Sequence, residues 1–243
     1  MPDPIAASLT IDPGLDPCPC RPALIWAAAI APPFDPGRDT GFLTAAAERA
    51  AAAGEAGWPA DIKPGVRRML RHGRYKPAGR GKPASEFLLR EAERGRLRPI
   101  CGPVDVNNAV GLESGLPGSV FDAACCGPEL LLRRGRPGER YVFNRAGQQI
   151  ALADLLLVCR RTAAGFVPCG NPVKDAMATK IGPATRDVLA VLYLPADSPG
   201  REAQRWAARY TELLARHCAA SDTGFAILDP VPGATSTSRL PQS

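Results

Sequence analysis

Histidine is almost missing from this chain: His72 and His217 are the only two among 243 residues. A zinc centre would therefore have to be built mostly from thiolates, and the cysteines are not spaced for one. Structural zinc sites pair their ligands as C-x2-4-C and need a second pair. Cys18-Pro19-Cys20 is the only motif-like pair, and Cys125 and Cys126 are adjacent. Cys101, Cys159 and Cys169 lie in apolar, strand-like contexts, where a free thiol behaves as a small hydrophobe. The eight cysteines do not form a disulfide framework. The expectation is free structural thiols, with no metal and no other cofactor.

Long apolar runs are missing too. The longest, Ala23 to Pro33 and Asp187 to Leu194, are too short to span a bilayer. The opening residues Met1-Pro2-Asp3-Pro4 are acidic and proline-rich, unlike the basic start of a secretory signal. A cytoplasmic protein with no membrane partner is expected. There is no G-x-S-x-G either, which argues against an unrelated α/β-hydrolase with Ser119 as nucleophile.

What is present is an ordinary globular composition, 45% hydrophobic and 22% charged, with an uneven charge map. Residues 63–98 hold twelve Lys or Arg against three Glu, so the net charge of +6 sits entirely in that segment. This is the footprint of a polyanion-binding surface, or else a solvated helix face in an arginine-rich chain.

Helical patterns cover Phe42–Ala53, Pro64–His72, Ala84–Arg94 and Arg201–Ala219, with Gly54, Gly73 and Gly95 as stops. His217 falls on the apolar face of the last of these and reads as a satisfied, partly buried histidine. Leu24-Ile25-Trp26 has strand character. Short β-like runs follow at 97–101, 130–134, 140–143, 155–159, 165–169 and 187–194, with Asn144 to Gly147 as a hairpin turn. Helices first, strands in the middle and a helix last indicate an α+β fold. The expected organisation is an N-terminal extension over 1–58 packing on the core, a main domain over 59–229 and a disordered tail over 230–243.

The densest polar cluster is Val104 to Asp122, VDVNNAVGLESGLPGSVFD. Val104, Val106, Val110 and Leu112 are apolar anchors. Asp105, Asn107, Asn108 and Glu113 turn outward or onto neighbouring loops. Gly115, Pro117 and Gly118 force a turn that presents Ser119. Such a stretch either ties down an irregular backbone or faces a ligand.

This stretch resembles the VD-x-x-N…P-x-x-x-x-D segment of the B3/B4 domain in the β-subunit of bacterial phenylalanyl-tRNA synthetase. Its flanks are similar to freestanding members of that family. They are Arg74-Tyr75-Lys76-Pro77 with Ser85 to Arg90, Leu132-Arg133-Arg134 with Gly138-Glu139, and Thr185 to Leu189. The resemblance covers about residues 60–215 and includes no aminoacylation module. It implies a mixed, sandwich-like β core flanked by helices, and a freestanding editing protein that hydrolyses wrongly charged aminoacyl-tRNA. The implied partner is the aminoacylated 3′ end of tRNA, with no DNA.

The resemblance also implies residue roles. Asn107 and Asn108 fall where the family's editing site carries a Thr-Asn pair, with Asn108 holding the ester or the water. Gly115 to Ser119, including Gly118, would form a pocket wall and supply N–H donors. Arg74, Lys76, Arg80 and Lys82 would contact phosphates, and Tyr75 would stack on an exposed base. Ser119 stands where the synthetase has a histidine, and a serine without a partner is no base near neutral pH. Asp175 is the nearest carboxylate for the family's functional glutamate; it reads equally as an exposed loop acid. The alternative function is a non-catalytic module that binds tRNA or an amino-acid-like ligand.

Overall fold

The protein is described here by a computed structural model covering residues 7–237. The chain opens with β1 (Ser8–Ile11) and β2 (Cys20–Ala28), then α1 (Gly41–Ala53), α2 (Ile62–Leu70), α3 (Ala84–Glu93) and α4 (Gly102–Ser114). Next come β3 (Gly118–Asp122), the single turn α5 (Ala123–Cys126), β4 (Glu129–Arg134) and a small hairpin, β5 (Arg140–Val142) with β6 (Gln149–Ala151). The chain continues through β7 (Leu156–Thr162), β8 (Gly165–Gly170), β9 (Val188–Pro195), α6 (Gly200–His217), β10 (Asp222–Ile227) and β11 (Thr235–Thr237).

Two sheets and a set of helices share one core, and the α+β sandwich-like architecture is as expected. One sheet has the order β11-β1-β4-β7-β8, the other β10-β2-β9-β3. The second sheet is wholly antiparallel; in the first, β1 runs parallel to β4. All eight residues of β9 are buried, so both of its faces are covered. That is why its sequence, VLAVLYLP, is a continuous apolar run and not an alternating one. Leu9, Leu132 and Val158 of the first sheet join Leu24, Val191 and Tyr193 of the second in the same core. α1, α3, α4 and α6 pack on one another, with α4 against β3 and α6 against β2 and β10.

Both chain ends depart from expectation. The segment 1–58, expected as an extension on the core, supplies β1 and β2, strands inside the two main sheets. β2, with residues such as Leu24 and Ile25 fully buried, pairs with β9 along eight residues. A strand that apolar is stable only with both edges paired and both faces covered. Thr235–Thr237, read as disordered tail, pairs with β1, and Thr10 and Thr235 share a hydrogen bond at 2.9 Å. The rest of that tail, 238–243, and the first six residues lie outside the described residues.

The polar stretch itself has a regular backbone over most of its length. Residues 102–114 form a helix absent from the helical patterns read in the sequence, and residues 97–101, expected as a strand, form none. Pro103 occupies its first turn and Gly115 ends it with φ 76°, a left-handed conformation that suits glycine. Most of α4 is buried, and the indole of Trp58 donates to the Leu112 carbonyl at 2.7 Å.

Several residues that carry the family resemblance are structural ties. Arg133 is buried and makes two hydrogen bonds to Glu139, at 2.6 and 2.9 Å. Thr185 donates to Asp122 Oδ2 at 2.5 Å, while Asp122 Oδ1 caps α5 at Ala124 N–H (2.9 Å). No helix among the described residues is long and apolar enough to cross a membrane.

Candidate functional site

α4 lays most of its polar side chains against protein partners. Asp105 accepts from the Ile100 N–H at 2.7 Å and from Arg38 at 3.2 Å. Glu113 ties α4 to α6 through Arg209 and to α1 through Arg49, all near 3.0 Å. Ser114 donates back to the Val110 carbonyl at 2.6 Å. Asn107 donates to the Gly118 carbonyl and accepts from the Tyr210 hydroxyl, both at 3.2 Å. Asn108 is the exception. It is only 8% exposed, and its carboxamide has no hydrogen-bond partner among the described residues. Neither of its polar atoms is among those sealed from solvent without a partner, so the carboxamide is open to water or a ligand. Asn108 lines a cavity of about 560 Å³, a volume typical of ligand sites.

Asn107, Gly118 and Asp175 line the same cavity, so the structure brings together four of the residues singled out from sequence. Its apolar lining includes Val104, Val120, Val173, Met177 and Ile181; its polar lining includes Asn171, Lys174 and Lys180. No histidine is among the lining residues.

Asp175 sits after β8 on a loop organised by Asn171. Asn171 Oδ1 accepts from the Val173 and Lys174 N–H groups at 2.8 and 2.9 Å. Its Nδ2 donates to the Tyr141 hydroxyl, which in turn donates to the Lys174 carbonyl at 2.5 Å. The Asp175 carboxylate accepts from the N–H of Val120 at 3.2 Å and of Asn171 at 3.4 Å. Desolvation pushes this carboxyl up to about 7. The Ser119 hydroxyl, the two N–H groups and the Lys180 ammonium all oppose that rise. The result is a carboxyl that exchanges a proton near neutrality while facing a cavity, the condition for general acid–base work. Gly170 permits this packing, since a Cβ there would lie 2.5 Å from the Phe121 ring and 2.9 Å from Asp175.

Ser119 is not on the cavity wall. It lies within β3, is fully buried, and shares a hydrogen bond with the Tyr193 hydroxyl at 2.8 Å. The β-strand register turns it inward while its neighbours Gly118 and Val120 line the cavity. Its hydroxyl favours the ionised form of Asp175 from behind the cavity wall. Gly115 is also remote. Its N–H is taken by the Gly111 carbonyl, and a Cβ on it would strike Trp58 at 2.7 Å.

The basic loop is likewise off the cavity wall: none of Arg74, Tyr75, Lys76, Arg80 or Lys82 lines it. Arg74, Lys76 and Arg80 are exposed, and Lys82 is half-buried. Tyr75 donates to the Gly81 carbonyl at 2.6 Å and packs its ring on both hydrophobic clusters, so it is not free to stack on a base. Much of the basic segment's charge is neutralised internally, as in Arg67 with Glu86 and Arg68 with Asp197, both at 2.6 Å. Sequence reasoning missed Lys180 on the cavity, along with Phe34, Ile100 and Arg145. Lys180 is held below its ordinary range by desolvation, against the pull of Asp175, with Arg145 pushing further down.

All eight cysteines are unpaired, and only Cys125 is exposed. Burial raises the thiols of Cys18 and Cys20, so that pair is no reactive thiolate. His217 is half-buried; it stacks on Phe42 at 4.1 Å and meets Asp39 at 3.0 Å, away from the candidate cavity.

Comparison with known proteins agrees with this architecture. Over 117 residues, 47% of the chain, it is 31% identical to the phenylalanine–tRNA ligase beta subunit of Thiobacillus denitrificans (strain ATCC 25259 / T1). The matched stretch spans 15% of that relative's length. The sequence family described as the B3/4 domain matches residues 76–217, more than half of the chain and the part that carries Asn107, Asn108 and Asp175. This protein belongs to the B3/4 domain family.

Proposed function

We propose that the cavity receives the aminoacyl ester of a mischarged tRNA and hydrolyses it. The observation that carries this reading is the pairing, in one cavity, of a carboxamide with no protein partner and a carboxyl that desolvation raises to about 7. The similarity to a tRNA ligase subunit supports a tRNA-related role for the module. Asn108 Nδ2 is the free donor for the ester carbonyl oxygen, whose negative charge grows as water adds to the carbon. Asp175 takes a proton from that water. The carbonyl then re-forms, the bond from acyl carbon to ribose oxygen breaks, and the leaving oxygen recovers the proton from Asp175. The amino acid and a free tRNA 3′ end are released. An activated ester needs no more than this positioning and charge stabilisation.

The test is to incubate the full chain with a panel of mischarged tRNAs. At least one ester should be cleaved faster than in buffer, and Asn108→Ala should abolish most of the gain. If no ester is cleaved faster, or Asn108→Ala changes nothing, the reading is wrong.

One observation favours a second reading, in which the module binds tRNA or an amino-acid-like ligand without turnover. Ser119 is sealed against Tyr193, and no histidine stands at the cavity to take its place. Binding without cleavage, falling steeply with salt, would support the RNA form of this reading.

A further inference from the structure

Two groups of side chains at the cavity take no part in the chemistry above. Four large apolar side chains are exposed among the described residues, and two of them, Phe34 at 38% and Ile100 at 56%, line this cavity. Phe34 lies between β2 and α1, outside the residues matched by the family. The Gly102 N–H donates to the Pro33 carbonyl at 2.9 Å, and the Ile100 N–H to Asp105 at 2.7 Å. Both apolar side chains are therefore tethered to the start of α4, the helix that carries Asn108.

The second group is cationic. Arg145, on the turn between β5 and β6, and Lys180, before β9, both line the cavity, and neither forms an ion pair among the described residues. They are close enough for Arg145 to disfavour the charged form of Lys180. Lys174 also lines the cavity, and Asp175 is the single carboxylate among the lining residues. A cavity that carries these cations and a single carboxylate suits an anionic group on its ligand.

We propose that this end of the cavity is a nucleotide subsite, in which Phe34 and Ile100 receive the base and Arg145 and Lys180 receive a phosphate. The inference rests on the aminoacyl-ester reading of the same cavity. It names what holds the terminal nucleotide while the acyl group reaches Asn108 and Asp175. A planar apolar face and an anionic group on one ligand match both halves of the lining. A free amino acid would leave Phe34 and Ile100 unused, and an acyl chain would leave the cations unused. Base stacking on an apolar ring is tolerant of sequence, which suits an end shared by many RNAs.

The experiment uses the full chain and three probes: adenosine 5′-monophosphate, adenosine and inorganic phosphate, with affinities measured calorimetrically. The nucleotide should bind more tightly than either fragment. Phe34→Ala should weaken the nucleotide and adenosine by about tenfold and leave phosphate unchanged, and Phe34→Trp should restore binding. Arg145→Ala should weaken the nucleotide toward the affinity of adenosine and lower its salt slope by about one. Both residues are on exposed loop positions, so the variants leave the core untouched. No binding of the nucleotide, or binding indifferent to both substitutions, overturns the proposal. Nucleotide binding with these losses but no ester cleavage leaves the subsite standing and removes the hydrolytic reading. Ester cleavage with kcat/KM unchanged in Phe34→Ala and Arg145→Ala removes the subsite and leaves hydrolysis standing.

Discussion

Asn107 packs so closely on Gly118 that residue 118 has no room for a side chain. The amide of Asn107 donates to the Gly118 carbonyl at 3.2 Å, and a Cβ on residue 118 would lie 2.3 Å from Asn107 Oδ1. This contact joins α4 to β3 at the edge of the cavity. Gly118→Ala should cost about 1–3 kcal/mol, the usual penalty of overpacking. Asn107→Ala should recover part of that loss in the double variant. Urea denaturation of the four proteins of the cycle checks it, and additive losses would mean that the two residues do not share the space.

Asn108→Ala separates stability from function. No hydrogen bond within the protein is lost, so the urea midpoint should move little. The rate of ester cleavage should fall by about a hundredfold to a thousandfold, the loss seen when one oxyanion donor is removed. A large loss of stability with an unchanged rate would reverse this assignment.

Asp175 sets a pH dependence of definite sign. Its carboxyl rises from its ordinary 3.8 to about 7 in the folded protein. Between those values the folded chain keeps a proton that the unfolded chain has released, so this group makes stability fall as pH rises. Thermal midpoints followed across that window should show the decline, and Asp175→Ala should flatten it. As the base, Asp175 must be ionised, so kcat/KM should climb with pH through an inflection at about 7. A flat profile there removes Asp175 from the chemical step.

Ser119→Ala tests whether the serine acts directly or through Asp175. A nucleophile's removal would abolish cleavage. The buried hydroxyl instead bonds Tyr193 and favours the ionised form of Asp175. The variant should keep activity, lose roughly 1–3 kcal/mol from the orphaned Tyr193 hydroxyl, and shift the pH inflection to higher values. Loss of all cleavage with an unshifted profile would restore Ser119 to the reaction.

Local pattern was enough for much of the scaffold. The alanine-rich run of α1, the amphipathic α6 and the unbroken apolar run of β9 each declare their state, because each has one period or one composition that only one environment satisfies. α4 shows no helical period in the sequence for a physical reason. Val104, Val106, Val110 and Leu112 are spaced by even steps that a strand also satisfies, and the helix is buried on most faces, so no polar stripe reveals its period. Pro103 and Gly115 were the legible signals of its ends. β11 was missed because Thr235–Thr237 has no apolar anchor and is held by its pairing with β1.

By itself the sequence determined the α+β class, the family, and the residue types at the cavity, because these follow from composition and from short motifs. Only the tertiary structure decided which polar groups are spoken for. Asp105, Asn107, Glu113 and Ser119 all find partners brought in from distant segments, and Asn108 does not. The same folding brought Phe34, Ile100, Arg145 and Lys180 to one cavity and left the basic loop off its wall. Hydrogen-bond satisfaction and convergence depend on contacts between segments far apart in the chain, and no local pattern encodes those.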